Sequence, residues 1–127
     1  MRQEWVVTGS DGNTGHPRKY GSFPRKYHKY VQQEQVIDVA TFINGSSAKT
    51  AKIFKILNRG QLKEGYFADV IIFNPITFRD KADYTDAFQF ADGLNHSIIN
   101  GQLVVENGEY LDKKAGRVLS KIEQSEK

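Results

Sequence analysis

Apolar and polar positions alternate between three patterns along this chain. Trp5-Val6-Val7-Thr8 is a short β-prone run stopped by Gly9-Ser10-Asp11-Gly12, which predicts a buried strand entering a loop. Asn13 to Pro24 shows no period and holds two prolines and two glycines. It predicts a structureless stretch of a length that compact domains keep for functional loops. Tyr27 to Gln33 predicts a helical turn or two. Asp38 is placed to N-cap a helix from Val39 to Ile43 that stops at Asn44-Gly45. Ser46 or Ser47 then caps a second helix, with Ala48, Ala51 and Phe54 or Lys55 at near-helical spacing.

After Arg59-Gly60 the pattern turns to strands. Ala68-Asp69-Val70-Ile71-Ile72-Phe73 is a continuous apolar run closed by Asn74-Pro75, which predicts a strand buried on both faces. Asp80 to Asp92 is acidic and irregular and predicts a surface connection. His96–Ile99 and Gln102–Val105 flank Asn100-Gly101, a strong hairpin signal, and Asn107-Gly108 repeats the device before Glu109-Tyr110-Leu111. The charged tail, residues 121–127, predicts frayed, disordered chain. The order is strand, loop, helices and a small β-meander, which reads as parts of two substructures. A short meander leaves open edges, so a homo-oligomer formed by edge pairing or swapping is expected.

Length and composition bound this picture. The 127 residues allow one modest domain, and 39% hydrophobic with 26% charged residues is ordinary for a globular chain. No apolar run approaches the roughly 20 residues a bilayer span requires, so no membrane partner is expected. The apolar stretch near Met1 is too short for a signal peptide, which makes a cytoplasmic address the expectation. The absence of cysteine excludes disulfides and thiolate metal sites. Charge is unevenly spread: residues 1–30 carry net +4 and the remainder net −1. A local positive field suits an anionic ligand, either a small carboxylate or a phosphate backbone.

Three motifs carry candidate chemistry. Asp11 stands at the C-terminal end of a β-prone run and before a long loop, where β/α-barrel enzymes place catalytic groups. Local spacing by itself favours a plain Asp-Gly turn. In Gly15-His16-Pro17-Arg18 the proline stiffens the segment and would present Arg18 as a fork for a carboxylate. A solvated basic loop fits those residues equally well. Arg18 to Tyr30 also interleaves basic side chains with Tyr20, Phe23, Tyr27 and Tyr30, the composition of a single-strand nucleic-acid surface. The mild overall charge and the lack of a recognition motif rank nucleic acid below a small anion. His28 and His96 have no second histidine at ligand spacing, and no complete metal site can be written.

Taken together, Val6–Gly12 and Gly15–Arg25 resemble the C-terminal part of the N-acyl-D-amino-acid deacylases (D-aminoacylases) of the amidohydrolase superfamily. The resemblance continues through Asn58–Pro75 and Ile99–Gly108, with Gly116-Arg117, in order over nearly all of Trp5 to Leu119. The Ala68-Asp69 strand motif is shared across amidohydrolases, whereas Ser10-Asp11-Gly12 with His16-Pro17-Arg18 points to the acyl-D-amino-acid branch. The resemblance implies an α/β fragment: the last strand and closing helices of a metal-dependent β/α barrel, plus strands of a small β-sandwich. Residues 1–58 would be the barrel end, with Trp5–Thr8 as its eighth strand, and residues 59–120 the sandwich portion.

The same resemblance implies roles. Asp11 matches the aspartate that takes a proton from zinc-bound water and passes it to the leaving amine. Arg18 matches the arginine that binds the α-carboxylate of an N-acyl amino acid substrate, and His16 lies in the same substrate-binding loop. The loop between Asp11 and His16 is shorter than in the family's best-known members, which bears on side-chain specificity. The family's zinc is held by residues of earlier barrel strands. This chain is therefore expected to bind no zinc by itself, Asp11 being its one candidate contact to the metal, and to be inactive alone. It would be either an excised piece of a longer enzyme or a shortened reading frame starting at Met1. The reading from another class is a non-catalytic module that binds an anion or nucleic acid through Arg18–Tyr30.

Overall fold

The computed structural model describes residues 3–12 and 14–119. The expected tail, residues 121–127, lies outside them.

The helical half differs most from expectation. Arg18–Arg25 forms helix α1 inside the stretch that lacks periodicity. Pro17 precedes it at φ −62°, already the value a helix needs, which explains why a proline starts rather than prevents the element. Pro24 lies within the last turn, where it has no N–H to give to the carbonyl one turn back. The chain answers by widening: Lys26–Gln33 is a π-helix, with Glu34 N–H donating to Lys29 O at 2.8 Å. The expected turns at Tyr27–Gln33 are thus the continuation of one longer helical stretch.

Asp38 caps helix α2, Val39–Ser46, by accepting from Thr41 N–H at 2.7 Å. The helix runs past Asn44-Gly45 to Ser46, and Ser47 separates it from α3, Ala48–Ile53. Ser47 stands at the N-cap position of α3, but its hydroxyl donates back to Ile43 O at 2.6 Å instead of capping.

A four-stranded antiparallel sheet follows, in the order β1 (Val70–Phe73), β2 (Leu94–Ile99), β3 (Gln102–Glu106) and β4 (Glu109–Tyr110). Both Asn-Gly turns have left-handed φ at each residue, as two-residue hairpins require. Val70–Phe73 is an edge strand with Ile71 and Ile72 about half exposed, so burial on both faces does not hold. An antiparallel sheet of this size covers one face and leaves the other open.

Trp5–Thr8 is not a strand. A strand exists through the ladder it shares with a neighbour, and no other strand among the described residues lies beside this run. Trp5 is correspondingly 75% exposed.

Helices and sheet meet in one aromatic core. Tyr27 of the π-helix packs its ring 5.2 Å from Phe42 of α2, 5.2 Å from Phe73 of β1 and 5.7 Å from Phe78. Ile37 completes the buried cluster, with Tyr30, Val31, Val36 and Leu94 around it. Gly93 matters here. It has φ +75°, and a Cβ on it would lie 2.5 Å from the backbone nitrogen of Phe78. Only glycine lets the two ends of the 74–93 connection close this tightly. That connection is no mere surface link, since Phe78, Ala82 and Ala87 are buried beneath it.

Candidate active site

The three residues singled out from the sequence come together at the start of α1. Arg18 Nη2 lies 3.0 Å from Asp11 Oδ2. Asp11 holds φ +43°, a left-handed value that aspartate tolerates better than most side chains, and its carboxylate is largely exposed. His16 Nδ1 accepts from Arg18 N–H at 3.0 Å, so the side chain satisfies one of the free donors of the helix start. An accepting Nδ1 carries no proton, which leaves the neutral ring's proton on Nε2. Nε2 lies 3.2 Å from Tyr84 Oη, and the two rings meet edge to face at 5.2 Å.

His16, Arg18 and Tyr84 open onto a pocket of about 350 Å³ between α1 and the 80–84 segment, whereas Asp11 does not line it. His16, Arg18 and Ser22 line the helix side, and Asp80, Asp83 and Tyr84 line the other. Gly21 allows the close approach, because a Cβ there would come within 3.2 Å of Asp80 Cβ. Arg25 closes one end by pairing with Asp80 at 3.2 Å. Asp83 is turned inward on its own loop: the Thr85 side chain and the Asp86 and Thr85 N–H groups all donate to it. Those bonds, that from the Thr85 side chain foremost, hold its carboxyl below the usual range. Arg18 Nε is buried and has no hydrogen-bond partner. The arginine thus has an unpaired buried donor, while one of its terminal nitrogens pairs with Asp11.

Tyr84, Asp80 and Asp83 were not foreseen as part of this site. They come from a segment distant in sequence, and nothing local in Asp80–Asp92 marks them as facing α1.

In the basic-aromatic stretch Arg18–Tyr30, Tyr20, Phe23 and Tyr30 are partly exposed, but two of its members are not on the surface. Tyr27 is 2% exposed and Lys26 7% exposed, both turned inward. Nor do the described residues hold a group of three His, Cys, Asp or Glu side chains that could ligate a metal. The donor set among the described residues does not fit a zinc site by itself. Among the described residues no helix is long and apolar enough to cross a membrane.

The order of elements, helices followed by a small antiparallel sheet, defines an α/β fragment, and comparison with known proteins gives the family. The sequence pattern of the amidohydrolase family matches residues 1–105, and the chain belongs to that family. It is 34% identical over 120 residues to a D-aminoacylase of Alcaligenes xylosoxydans xylosoxydans, covering 91% of this chain and 25% of that protein. It is 30% identical over 105 residues to an N-acyl-D-glutamate deacylase of the same organism, covering 80% of this chain and 22% of the relative. The crystal structure of a D-aminoacylase superposes with a TM-score of 0.85 at 33% identity, over 91% of this chain and 25% of that one. The N-acyl-D-glutamate deacylase of Bordetella bronchiseptica, solved with zinc and a phosphonate mimic of the tetrahedral intermediate, superposes at 0.77 with 30% identity. That match covers 80% of this chain and 22% of the other. The chain therefore spans about a quarter of the length of the relatives it matches.

Proposed function

We propose that this chain is the C-terminal quarter of an N-acyl-D-amino-acid deacylase, and that it supplies the proton-handling carboxylate and the substrate-carboxylate grip of that enzyme. The observation that carries the reading is the 3.0 Å contact between Asp11 and Arg18, an arginine that also lines a pocket together with His16.

The chemistry follows from the residue types. Amide hydrolysis adds hydroxyl from water to the acyl carbon and hydrogen to the leaving nitrogen, and the C–N bond breaks between them. Asp11 takes the proton from the attacking water and delivers it to that nitrogen, releasing a carboxylic acid and a free D-amino acid. Arg18 offers a planar fork that meets a carboxylate with two parallel N–H···O bonds, so it fixes the α-carboxylate and with it the scissile amide. His16 holds the first N–H of α1 and so sets where Arg18 begins.

In this reading residues 1–58 close a β/α barrel and residues 59–120 form part of its β-sandwich. Trp5–Thr8 becomes the last barrel strand once neighbouring strands give it a ladder. The zinc of the Bordetella relative has no counterpart donor set among the described residues here. The metal-bearing strands would come from the rest of the enzyme. Alone, the chain should be inactive, and the half-exposed Ile71 and Ile72 on an edge strand favour self-association. A strictly monomeric chain by light scattering at high concentration would sink the association.

A chimera tests the activity. Replacing the matching quarter of the Alcaligenes D-aminoacylase with this chain should give hydrolysis of N-acetyl-D-amino acids, and Asp11→Asn should lower kcat by about 10²-fold or more. An active Asp11→Asn chimera would remove Asp11 from its role. Stoichiometric zinc and turnover by this chain alone would refute its inactivity.

A further inference from the structure

The segment from Gln3 to Gly12 belongs to no strand of the sheet. Three helical elements each place one cationic side chain on it instead. Lys49 of α3 donates to Gln3 O at 3.1 Å, Lys26 of the π-helix to Thr8 Oγ1 at 2.5 Å, and Arg18 of α1 holds Asp11.

Lys26 is the unusual member. Only 7% of it is exposed, and among the described residues it forms no ion pair. Burial, and then the nearby charge of Lys49, push its ammonium below the ordinary lysine range. The ring of Phe42, 5.8 Å away, is its nearest compensating neighbour besides Thr8. An aliphatic side chain would fill that space without the desolvation penalty. The geometry accounts for a lysine there in one way: the ammonium reaches a hydroxyl three residues before Asp11.

We propose that Lys26 is a positioning residue, whose hydrogen bond to Thr8 fixes the Thr8–Asp11 segment and keeps the Asp11 carboxylate within reach of Arg18. Lys26 stands where α1 passes into the widened turns, its N–H still reaching Ser22 O, and Tyr27, beside it, enters the core. The importance attached to Asp11 rests on the proposed function, but the coupling itself does not.

Nuclear magnetic resonance on this chain tests the coupling without any assay of activity. Thr8→Val keeps volume and charge and removes only the acceptor, while Thr8→Ser retains it. In the wild type and in Thr8→Ser, the amides of Gly9, Ser10 and Asp11 should have order parameters of about 0.8. In Thr8→Val and Lys26→Met the same amides should fall to about 0.6 or lower, and the Arg18 Nε–H signal should change. Amides of α2 and of the sheet should keep their wild-type values. The double variant should be no looser than the looser single one, because both changes cut the same bond.

Wild-type order at residues 9–11 in Thr8→Val would overturn the proposal. So would loosening shared equally by α2 and the sheet, or effects that add in the double variant. Should Lys26→Met fail to fold, the Thr8→Val and Thr8→Ser pair decides alone. These outcomes are independent of the Asp11→Asn chimera: an active chimera removes the catalytic reading and leaves the coupling to stand or fall on its own data.

Discussion

Arg18 and Asp11 face one another across 3.0 Å, so the group read as the substrate's anchor is already holding the group read as the proton carrier. In this arrangement one terminal nitrogen of the guanidinium is engaged by an internal carboxylate. A substrate carboxylate would have to displace Asp11, or share the fork through its remaining donors. Those donors lie on the two terminal nitrogens, because Nε is buried. Asp11→Asn should therefore strengthen binding of an N-acetyl-D-amino acid to this chain by about two- to fivefold, the worth of an exposed ion pair. Titration followed at the Arg18 Nε–H resonance measures it, and unchanged affinity would show that the pair does not compete with ligand.

Arg18→Lys separates charge from shape. Lysine keeps the positive charge but loses the planar fork. In the chimeric deacylase this change should raise KM by about tenfold while kcat changes little, because a binding contact common to ground and transition states is lost. A fall in kcat alone would place Arg18 in the chemical step instead.

The ring of His16 gives a prediction about a single proton. With Nδ1 accepting from Arg18 N–H, the neutral side chain should be the Nε2–H tautomer. Long-range nitrogen–proton correlation spectra distinguish the two forms directly. Tyr84→Phe removes the hydroxyl beside Nε2 but leaves the Arg18 bond, so the tautomer should persist.

Two carboxylates link stability to acid. Hydrogen bonds from the Thr41 side chain and backbone N–H hold Asp38 below the ordinary carboxyl value, and those around Asp83 do the same. A depressed folded value means that the stabilisation is complete above the unfolded value of about 4 and is lost as pH falls through the lower folded values. The Asp38→Asn/Asp83→Asn double variant should lose less of its urea midpoint than the wild type between about pH 4 and pH 2. Parallel losses would mean that other groups govern the acid limb.

Gly93→Ala should be among the most damaging single changes. It combines a left-handed φ with a contact of 2.5 Å to the Phe78 backbone. Destabilisation of about 3 kcal/mol or more is expected, since backbone cannot move aside as a side-chain tip can. Thermal unfolding of this variant beside Gly116→Ala, where a Cβ would meet nothing within 4 Å, gives the comparison.

What could be read from the sequence was what short range decides. The Asp38 cap and the two Asn-Gly turns follow from a few neighbouring residues, and the structure has them. Asp11, Arg18 and His16 could be picked out together because they sit within one short stretch of chain. The helix at Arg18–Arg25 was hidden because Pro17 and Pro24 read as breakers, although one pre-sets its start and the other widens its end. The strand expected at Trp5–Thr8 depends on partners that local pattern cannot supply. Tyr84 and Asp80 escaped for the same reason at longer range, since their contacts with α1 cross more than fifty residues of chain.

The widened turns at Lys26–Gln33 amount to one extra residue carried in a helix. Removing a residue between Lys29 and Gln33 would let the coil retighten to ordinary α geometry, with the extra residue no longer taken up in a widened turn. Arg18 and Lys26 lie before that point, whereas Val36 and Ile37, which pack in the aromatic core, lie after it. The widened turns act like slack taken up in a belt: they absorb the additional residue where it occurs, so the end that serves the pocket and the end that serves the core both keep their phase.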